Sequence, residues 1–267
     1  MRISIITPSL NQGDFIADAI ESVAEQDHDD VEHIVVDGQS TDGTKDVLER
    51  YKTCSHLKVI SEPDNGQSHA LNKGLRLATG DIIGWLNADD YYHPGCFSRV
   101  EKWFCERPEI DILYGDFLWV DDSGRVIQKR REIAFDPFVF EYLHVCHVPS
   151  TATFFRQSIV AAGHFIDEDY RYAMDFEFFL RLLKAGYQFA HVPGYLASFR
   201  WHDDSKSTTA ATAQRREHQR ALYAHNQILR NASPVVRVLA VGVLRMAARG
   251  KRYGVKAVSG HYRDQWP

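Results

Sequence analysis

Two hydrophobic periods alternate through the first 90 residues, and that alternation constrains the fold more than any other feature of the chain. Short apolar runs fall at residues 3–7 (ISIIT), 33–37 (HIVVD), 57–61 (LKVIS) and 81–86 (DIIGWL). They have the length and composition of buried strands. Between them, residues 14–26, 44–52 and 68–78 carry helical spacing; in the first, Phe15, Ile16, Ala19, Ile20 and Val23 share one stripe. A helix between two strands of one sheet returns the chain to the same end, so the strands pair in parallel. The expectation is an α/β chain with a mostly parallel central sheet and helices on both faces.

Such sheets bind ligands beyond the carboxyl ends of their strands. Three polar clusters stand there: Thr7-Pro8, Asp37, and Asn87-Ala88-Asp89-Asp90. Crowded carboxylates persist where a cation neutralises them, and Mg²⁺ or Mn²⁺ on oxygen ligands leaves positions open for phosphate oxygens. The plainer reading of residues 87–90 is a solvated turn capping a helix from His93. Asp37 can accept hydrogen bonds from a nucleobase N–H or ribose hydroxyls; its plainer role is a cap in DGQSTDGT, which Asp42 fits better. Asp64 follows the third run, Gly66 permits a tight turn there, and Asn72 and Lys73 lie further along the next helix. Neither a G-x-G-x-x-G loop nor a G-K-[ST] motif is present.

After residue 91 the pattern loosens. A helix is expected over 93–104, a hairpin from 112–120 and 126–129, a strand over 151–155 and a helix over 175–185. Asp175 opens that last helix, where an Asp is commonly a cap. Tyr170, Tyr172, Phe176 and Phe178 surround it with aromatic surface, and a partly desolvated carboxylate is a better base near neutral pH. His202, in FRWHDDSKS, reads either as a structural residue or as a metal or phosphate partner. The spacing of His144, Cys146 and His147 matches no common zinc pattern. The four cysteines include no C-x-x-C pair and read as buried free thiols of a reducing compartment. With no stretch long enough for a secretory signal or a membrane span, a cytoplasmic protein is expected.

Charge divides the chain. From Gln214 onward there are eleven Lys/Arg against two acids, a +9 segment in a chain of net charge −5, so residues 1–213 carry −14. An acidic body makes nucleic acid an unsuitable partner. Within the basic segment, Arg237, Arg245, Arg249, Arg252 and Lys256 gather on one side of a helical wheel. A helix of this kind suits an anionic membrane at the inner face of the plasma membrane. The alternatives are a helix packed on the core by its apolar stripe, or a homo-oligomer contact.

The segments TPSLNQGDFIADAIESVAEQ, HIVVDGQSTDGT, EPDNGQSHALNKGLRLATGDIIGWLNADD, DFEFFLRL and FRWHDDSKS together resemble the family 2 glycosyltransferases over residues 3–205. That resemblance implies a GT-A fold with a Rossmann-like sheet and an inverting, metal-dependent transfer from a nucleotide-diphosphate sugar. The donor would be a UDP-sugar and the acceptor a glycan or lipid-linked hydroxyl in polysaccharide assembly. By the same resemblance, Thr7, Pro8, Asn11, Asp37, Asp64, Gln67, Asn72, Asn87 and Ala88 bind the nucleotide-sugar. Asp89 is the carboxylate of the DxD motif that holds Mg²⁺ or Mn²⁺, with His202 completing the site, and Asp175 is the general base. Two departures stand out: Asn87 replaces the first Asp of DxD, and Met174 replaces the commoner Glu before Asp175, leaving Glu177 as a second candidate base. The chain then divides into a GT-A domain, 1–213 (donor half 1–95, acceptor half 96–213), and a basic helical region, 214–267. A nucleotidyltransferase and a non-catalytic sugar-nucleotide-binding module are the rival readings. The first expects a Gly-rich basic loop that TPSLNQGDF lacks, and the second expects loss of Asp89 or Asp175.

Overall fold

A computed structural model describes residues 1–143, 147–201, 210–262 and 265. Strands β1 (Ile3–Ser9), β2 (Val31–Asp37), β3 (Leu57–Ser61) and β4 (Ile82–Trp85) lie in the order β3-β2-β1-β4, all parallel. Helices α1 (Ile16–Ala24), α2 (Thr44–Arg50) and α3 (Gln67–Leu77) make the crossovers. Every residue of β1 is buried, as a central strand covered on both faces requires. The two-residue period sorts its side chains: Ile3 and Ile5 pack toward Ala19 and Val23 of α1, and Ile6 toward Ala70 and Leu71 of α3.

The same sheet continues past β4. A two-residue β5 (Tyr91–Tyr92) is followed by α4 (Cys96–Glu106), β6 (Ile112–Val120), β7 (Val126–Arg130), α5 (Pro137–Tyr142), β8 (Thr153–Arg156) and α6 (Gln157–Ala161), then α7 (Met174–Lys184) and β9 (Phe189–Arg200). Strand β8 joins β4 antiparallel, β6 joins β8 antiparallel, β9 runs parallel to β6, and β5 closes the far edge on β9. The expected hairpin is β6–β7. One sheet therefore spans both halves, parallel where the crossovers are regular and mixed beyond. Helix α4 starts at Cys96 rather than His93, because His93 still donates to Leu196 O and Gly95 takes φ +74. The run at 151 begins with a single turn at Ser150–Ala152, and extended structure starts at Thr153. The cysteines are not uniformly buried: Cys96 is, Cys54 is half-buried and Cys105 is exposed.

Three further helices follow: α8 (Ala211–His225), α9 (Gln227–Asn231) and α10 (Pro234–Val258). The last is oriented opposite to its amphipathic pattern. Its buried residues are Val241, Ala248, Arg252 and Lys256. Val235, Val236, Val238, Leu239, Val243 and Met246 are each more than half exposed. Glu132 explains the reversal. Its carboxylate is fully buried and accepts from Arg252 Nη2 at 2.8 and 2.7 Å and from Lys256 Nζ at 3.1 Å. Burial opposes the charge on Glu132, yet Arg252 and Lys256 hold its carboxyl below the usual range. So the expected basic outer face is in part an inner face. Among the described residues, no helix is long and apolar enough to cross a membrane.

Candidate active site

The loops leaving β1 and β4, the starts of α3 and α7, and one side chain of α8 enclose a cleft of about 320 Å³. Of the residues expected to bind a ligand, Pro8, Asp64, Gln67, Asn87, Ala88, Asp89 and Asp175 line it together. Tyr172, expected beside Asp175, lines it as well, as do Ser9, Gln12, Arg171 and Gln214, which no sequence signal singled out. Thr7, Asn11, Asp37 and Asn72 stand behind these walls. His202 lies outside the described residues, as do His144 and Cys146.

The residues behind the walls hold the loops. Asn11 and Gln39 adopt φ 54° and 63°, a conformation that non-glycine residues seldom take and that Asn tolerates best. Asn11 N donates to Ser40 Oγ at 2.8 Å, and Asn11 Oδ1 accepts from Thr41 N at 2.9 Å. Gln12 N donates to Thr44 Oγ1 and Gly13 N to Asp42 Oδ2, so the loops after β1 and β2 are laced into one unit. Fully buried Asp37 accepts from Ser40 N, Ser40 Oγ and, at 2.7 Å, Ser61 Oγ. Thr7 Oγ1 meets His33 Nε2 at 2.9 Å in the core. Asn72 ties α3 to Ile166, donating to its carbonyl and accepting from its N–H, each at 2.9 Å. Asp64 instead turns to the cleft, where Gly38 makes room: a Cβ there would lie 2.5 Å from Asp64 Oδ2.

After β4, Asn87 has every amide position in use. Its Oδ1 accepts from Gln67 Nε2 at 2.9 Å and Trp85 Nε1 at 3.0 Å; its Nδ2 donates to Asp90 Oδ2 at 2.9 Å and Thr151 Oγ1 at 3.3 Å. Asp90 is buried and accepts from Arg200 N at 2.9 Å and from Thr151 Oγ1. Burial, then the neighbouring Asp89, pushes the Asp90 carboxyl up to about 8. The three polar residues of the turn thus divide their roles: Asn87 and Asp90 build its floor, and Asp89 borders the cleft.

On the opposite wall Asp175 stands in the first turn of α7 and accepts from Phe176 N at 2.8 Å. Desolvation pushes its carboxyl above the ordinary range, offset in part by that N–H. Glu177 faces away. It is buried and bonded to Arg181 Nε at 2.9 Å and His225 Nε2 at 2.9 Å, a tie between α7 and α8 rather than a second base.

Among the described residues, no three His, Cys, Asp or Glu side chains gather to hold a metal ion. The donor set at the cleft still suits Mg²⁺ or Mn²⁺, which commonly take one or two carboxylates and complete their shell with water and phosphate oxygens. Asp64, Asp89 and Asp175 are the carboxylates that border the cleft.

The mixed sheet, with its cleft at the carboxyl ends of the parallel strands, is a GT-A-like α/β fold. The profile described as Glycosyl transferase family 2 matches residues 4–164, more than half of the chain, and the chain belongs to that family. It is 32% identical over 168 residues to an uncharacterized glycosyltransferase of Nostoc, covering 60% of this chain and 52% of that protein, so it spans about half of that relative's length. It is 29% identical to the putative teichuronic acid biosynthesis glycosyltransferase TuaG of Bacillus subtilis, covering 77% of this chain and 81% of that one. A PGL/p-HBAD biosynthesis glycosyltransferase of Mycobacterium bovis is 30% identical over 67% of this chain and 68% of its own. Among solved structures, S. aureus TarS 1–349 in complex with UDP has the same fold, with TM-score 0.67 and 20% identity over 87% of this chain and 67% of that chain. So does the mannosyltransferase PcManGT of Pyrobaculum calidifontis in complex with GDP-Man and Mn²⁺, with TM-score 0.63 and 19% identity over 96% of this chain and 75% of that chain.

Proposed function

We propose that this protein transfers a sugar from a nucleotide-diphosphate sugar, a UDP-sugar in our reading, to a hydroxyl of a glycan or lipid-linked acceptor, with inversion. The observation that carries this is the shared cleft: Asp64, Asp89 and Asp175 line it together, and in our reading the first two face the donor and Asp175 the acceptor. Relatives named for teichuronic acid and PGL synthesis support a polysaccharide or glycolipid setting. Neighbours bound to UDP and to GDP-Man with Mn²⁺ support the donor class.

In this scheme Asp64, Gln67 and the 87–89 turn orient the nucleotide and its diphosphate. Asp89, with His202, would hold Mg²⁺ or Mn²⁺, which when bound offsets the charge of the leaving diphosphate. Asp175 accepts the acceptor's hydroxyl proton while that oxygen bonds to the anomeric carbon and the carbon–diphosphate bond breaks. Its raised proton affinity suits a base working near neutral pH, a role worth about 10²–10⁴-fold.

The test is thermal stability with UDP, GDP and dTDP, each with Mn²⁺ or EDTA. A ligand at 100 times its Kd adds about 2.7 kcal/mol. Stabilisation by one nucleotide, dependent on metal and lost in Asp89→Asn, supports the donor site and identifies the base. No stabilisation of the folded protein by any nucleotide counts against it. Asp175→Asn is expected to keep that response and lose transfer; near-normal turnover removes Asp175 as the base. We also propose that α10 rests on an anionic membrane, through its exposed apolar face.

A further inference from the structure

Helix α8 reaches the cleft from outside the matched family segment, and it does so through a carboxylate. Glu217 accepts three consecutive backbone N–H groups: Arg171 at 3.0 Å, Tyr172 at 2.6 Å and Ala173 at 2.9 Å. These peptides lead directly into α7, which begins at Met174 with Ala173 as its N-cap. One turn before Glu217, Gln214 lines the cleft. On the next turn Arg220 donates to Asp169 O at 3.1 Å with its guanidinium over the Tyr170 ring. The helix thus grips the loop at 169–173 through Glu217 and Arg220, and that loop presents Arg171 and Tyr172 to the cleft.

We propose that Glu217 is the positioning residue of the acceptor wall: it fixes the 171–173 peptides, and through them the direction and basicity of the Asp175 carboxylate. This rests on the reading of Asp175 as the base. Two physical effects carry it. Backbone N–H groups free to swing would leave the entry to α7 without a fixed geometry, and one carboxylate here satisfies three of them. The positive end of a helix also stabilises an ionised carboxylate in its first turn and so weakens it as a base. A second negative charge at the same helix end opposes that effect: burial is the main cause of the raised proton affinity of Asp175, and the Glu217 charge acts in the same direction. Other charges around Asp175 are differently placed. Arg171 is exposed on the cleft rim, Asp64 and Asp89 line the cleft, and Glu177 is already paired with Arg181 and His225. Of α8's neighbouring side chains, His218 packs on the Phe176 ring, 4.5 Å between centroids.

The experiment uses the full chain and needs no substrate for its first readout. Carbon-detected NMR titration follows the Asp175 carboxyl, assigned by its loss in Asp175→Asn, in wild type and in Glu217→Gln. Glu217→Gln keeps one acceptor oxygen and removes the charge, and Glu217→Asp keeps the charge and shortens the reach. The Asp175 pKa is expected to fall in Glu217→Gln, with amide exchange accelerating at 171–173 in both variants. Turnover is expected to fall about tenfold, a fraction of what a general base supplies, with the acid limb of its pH profile moving to lower pH in Glu217→Gln. An Asp175 titration unmoved by Glu217→Gln in a folded protein overturns the proposal. Turnover retained by Asp175→Asn overturns instead the base assignment beneath it, so the two failures are told apart.

Discussion

Asn87 donates through Nδ2 to Asp90 Oδ2 at 2.9 Å, and the direction of that bond explains why position 87 carries an amide. Gln67 Nε2 and Trp85 Nε1 already claim its oxygen, so only an NH₂ group can face Asp90. Asn87→Asp would set a second carboxylate against a buried one with no cation between them among the described residues. The expected loss is about 2–4 kcal/mol of unfolding free energy at pH 8.5, from a lost hydrogen bond and a like-charge contact. The loss should shrink at pH 5.5, where Asp90, raised to about 8, is protonated and can donate to the new carboxylate. Urea unfolding at both pH values decides the matter; an unchanged midpoint at pH 8.5 would show that the amide direction does not matter.

Acid should unfold the protein through its histidines. Burial holds His33 down to about 3, and His147 and His218 to about 4, all from 6.5. The folded state therefore resists binding protons that the unfolded chain binds readily. This stability is fully present above pH 6.5 and is lost as the pH falls toward the folded values. Asp90 acts in the opposite sense over much of the same window, because its folded value lies above its unfolded one. Asp175 is raised as well and works with Asp90. A net uptake of about one to two protons on unfolding is expected between pH 6.5 and 4.5, at about 1.4 kcal/mol per proton per pH unit. His33→Asn should lower that slope by about one proton; a slope that stays at the wild-type value locates the uptake elsewhere.

Strand ends were legible in the sequence because each follows an apolar run, and a parallel sheet brings such ends together. Which carboxylate faces the ligand was not. Asp37 and Asp64 both follow strands, yet Ser40 and Ser61 draw Asp37 inward while Gly38 gives Asp64 its place at the cleft. Glu217 left no local signal, since its partners are peptides 44–46 positions away and backbone N–H groups carry no sequence mark. One alternative for α10, packing on the core by its apolar stripe, is not what the structure shows, for a related reason. Periodicity places apolar residues inside by default, and only the folded chain shows that Glu132 is buried and needs cations beside it.

Glu132 is therefore expected to govern the attachment of α10. Arg252 contacts both of its oxygens, Lys256 one of them, and Arg130 Nη2 stands 3.6 Å away. Glu132→Ala would leave these cations buried without their counter-charge, at a cost of about 3–5 kcal/mol. Hydrogen exchange should report α10 detaching while amides of β1 and β2 stay protected. If the loss is instead spread evenly over the sheet, α10 is part of the global folding unit.

The exposed face of α10 yields the last prediction. Val235, Val236, Leu239, Val243 and Met246 lie within about 100° of arc on the helix wheel, and no charged residue interrupts them there. Arg249 is exposed at one border of this face, where it can reach lipid phosphates while the apolar side chains enter the acyl boundary; Lys251, exposed at the other border, is ion-paired with Asp136. An arc this wide exceeds the narrow seam of a paired coil. The protein should therefore float with vesicles rich in anionic lipid, and binding should weaken as salt rises. Leu239→Asp with Val243→Asp, at positions 66% and 61% exposed, should leave thermal stability nearly unchanged. Withdrawing two side chains worth about 1.5 kcal/mol or more each should lower partitioning by about 100-fold. Arg249→Glu should lower it less, and mainly at low salt. Equal flotation of the double variant and the wild type would remove the apolar face as the contact; a dimer in wild type that dissociates in the double variant, with no flotation in either, would assign the face to a second copy of the chain.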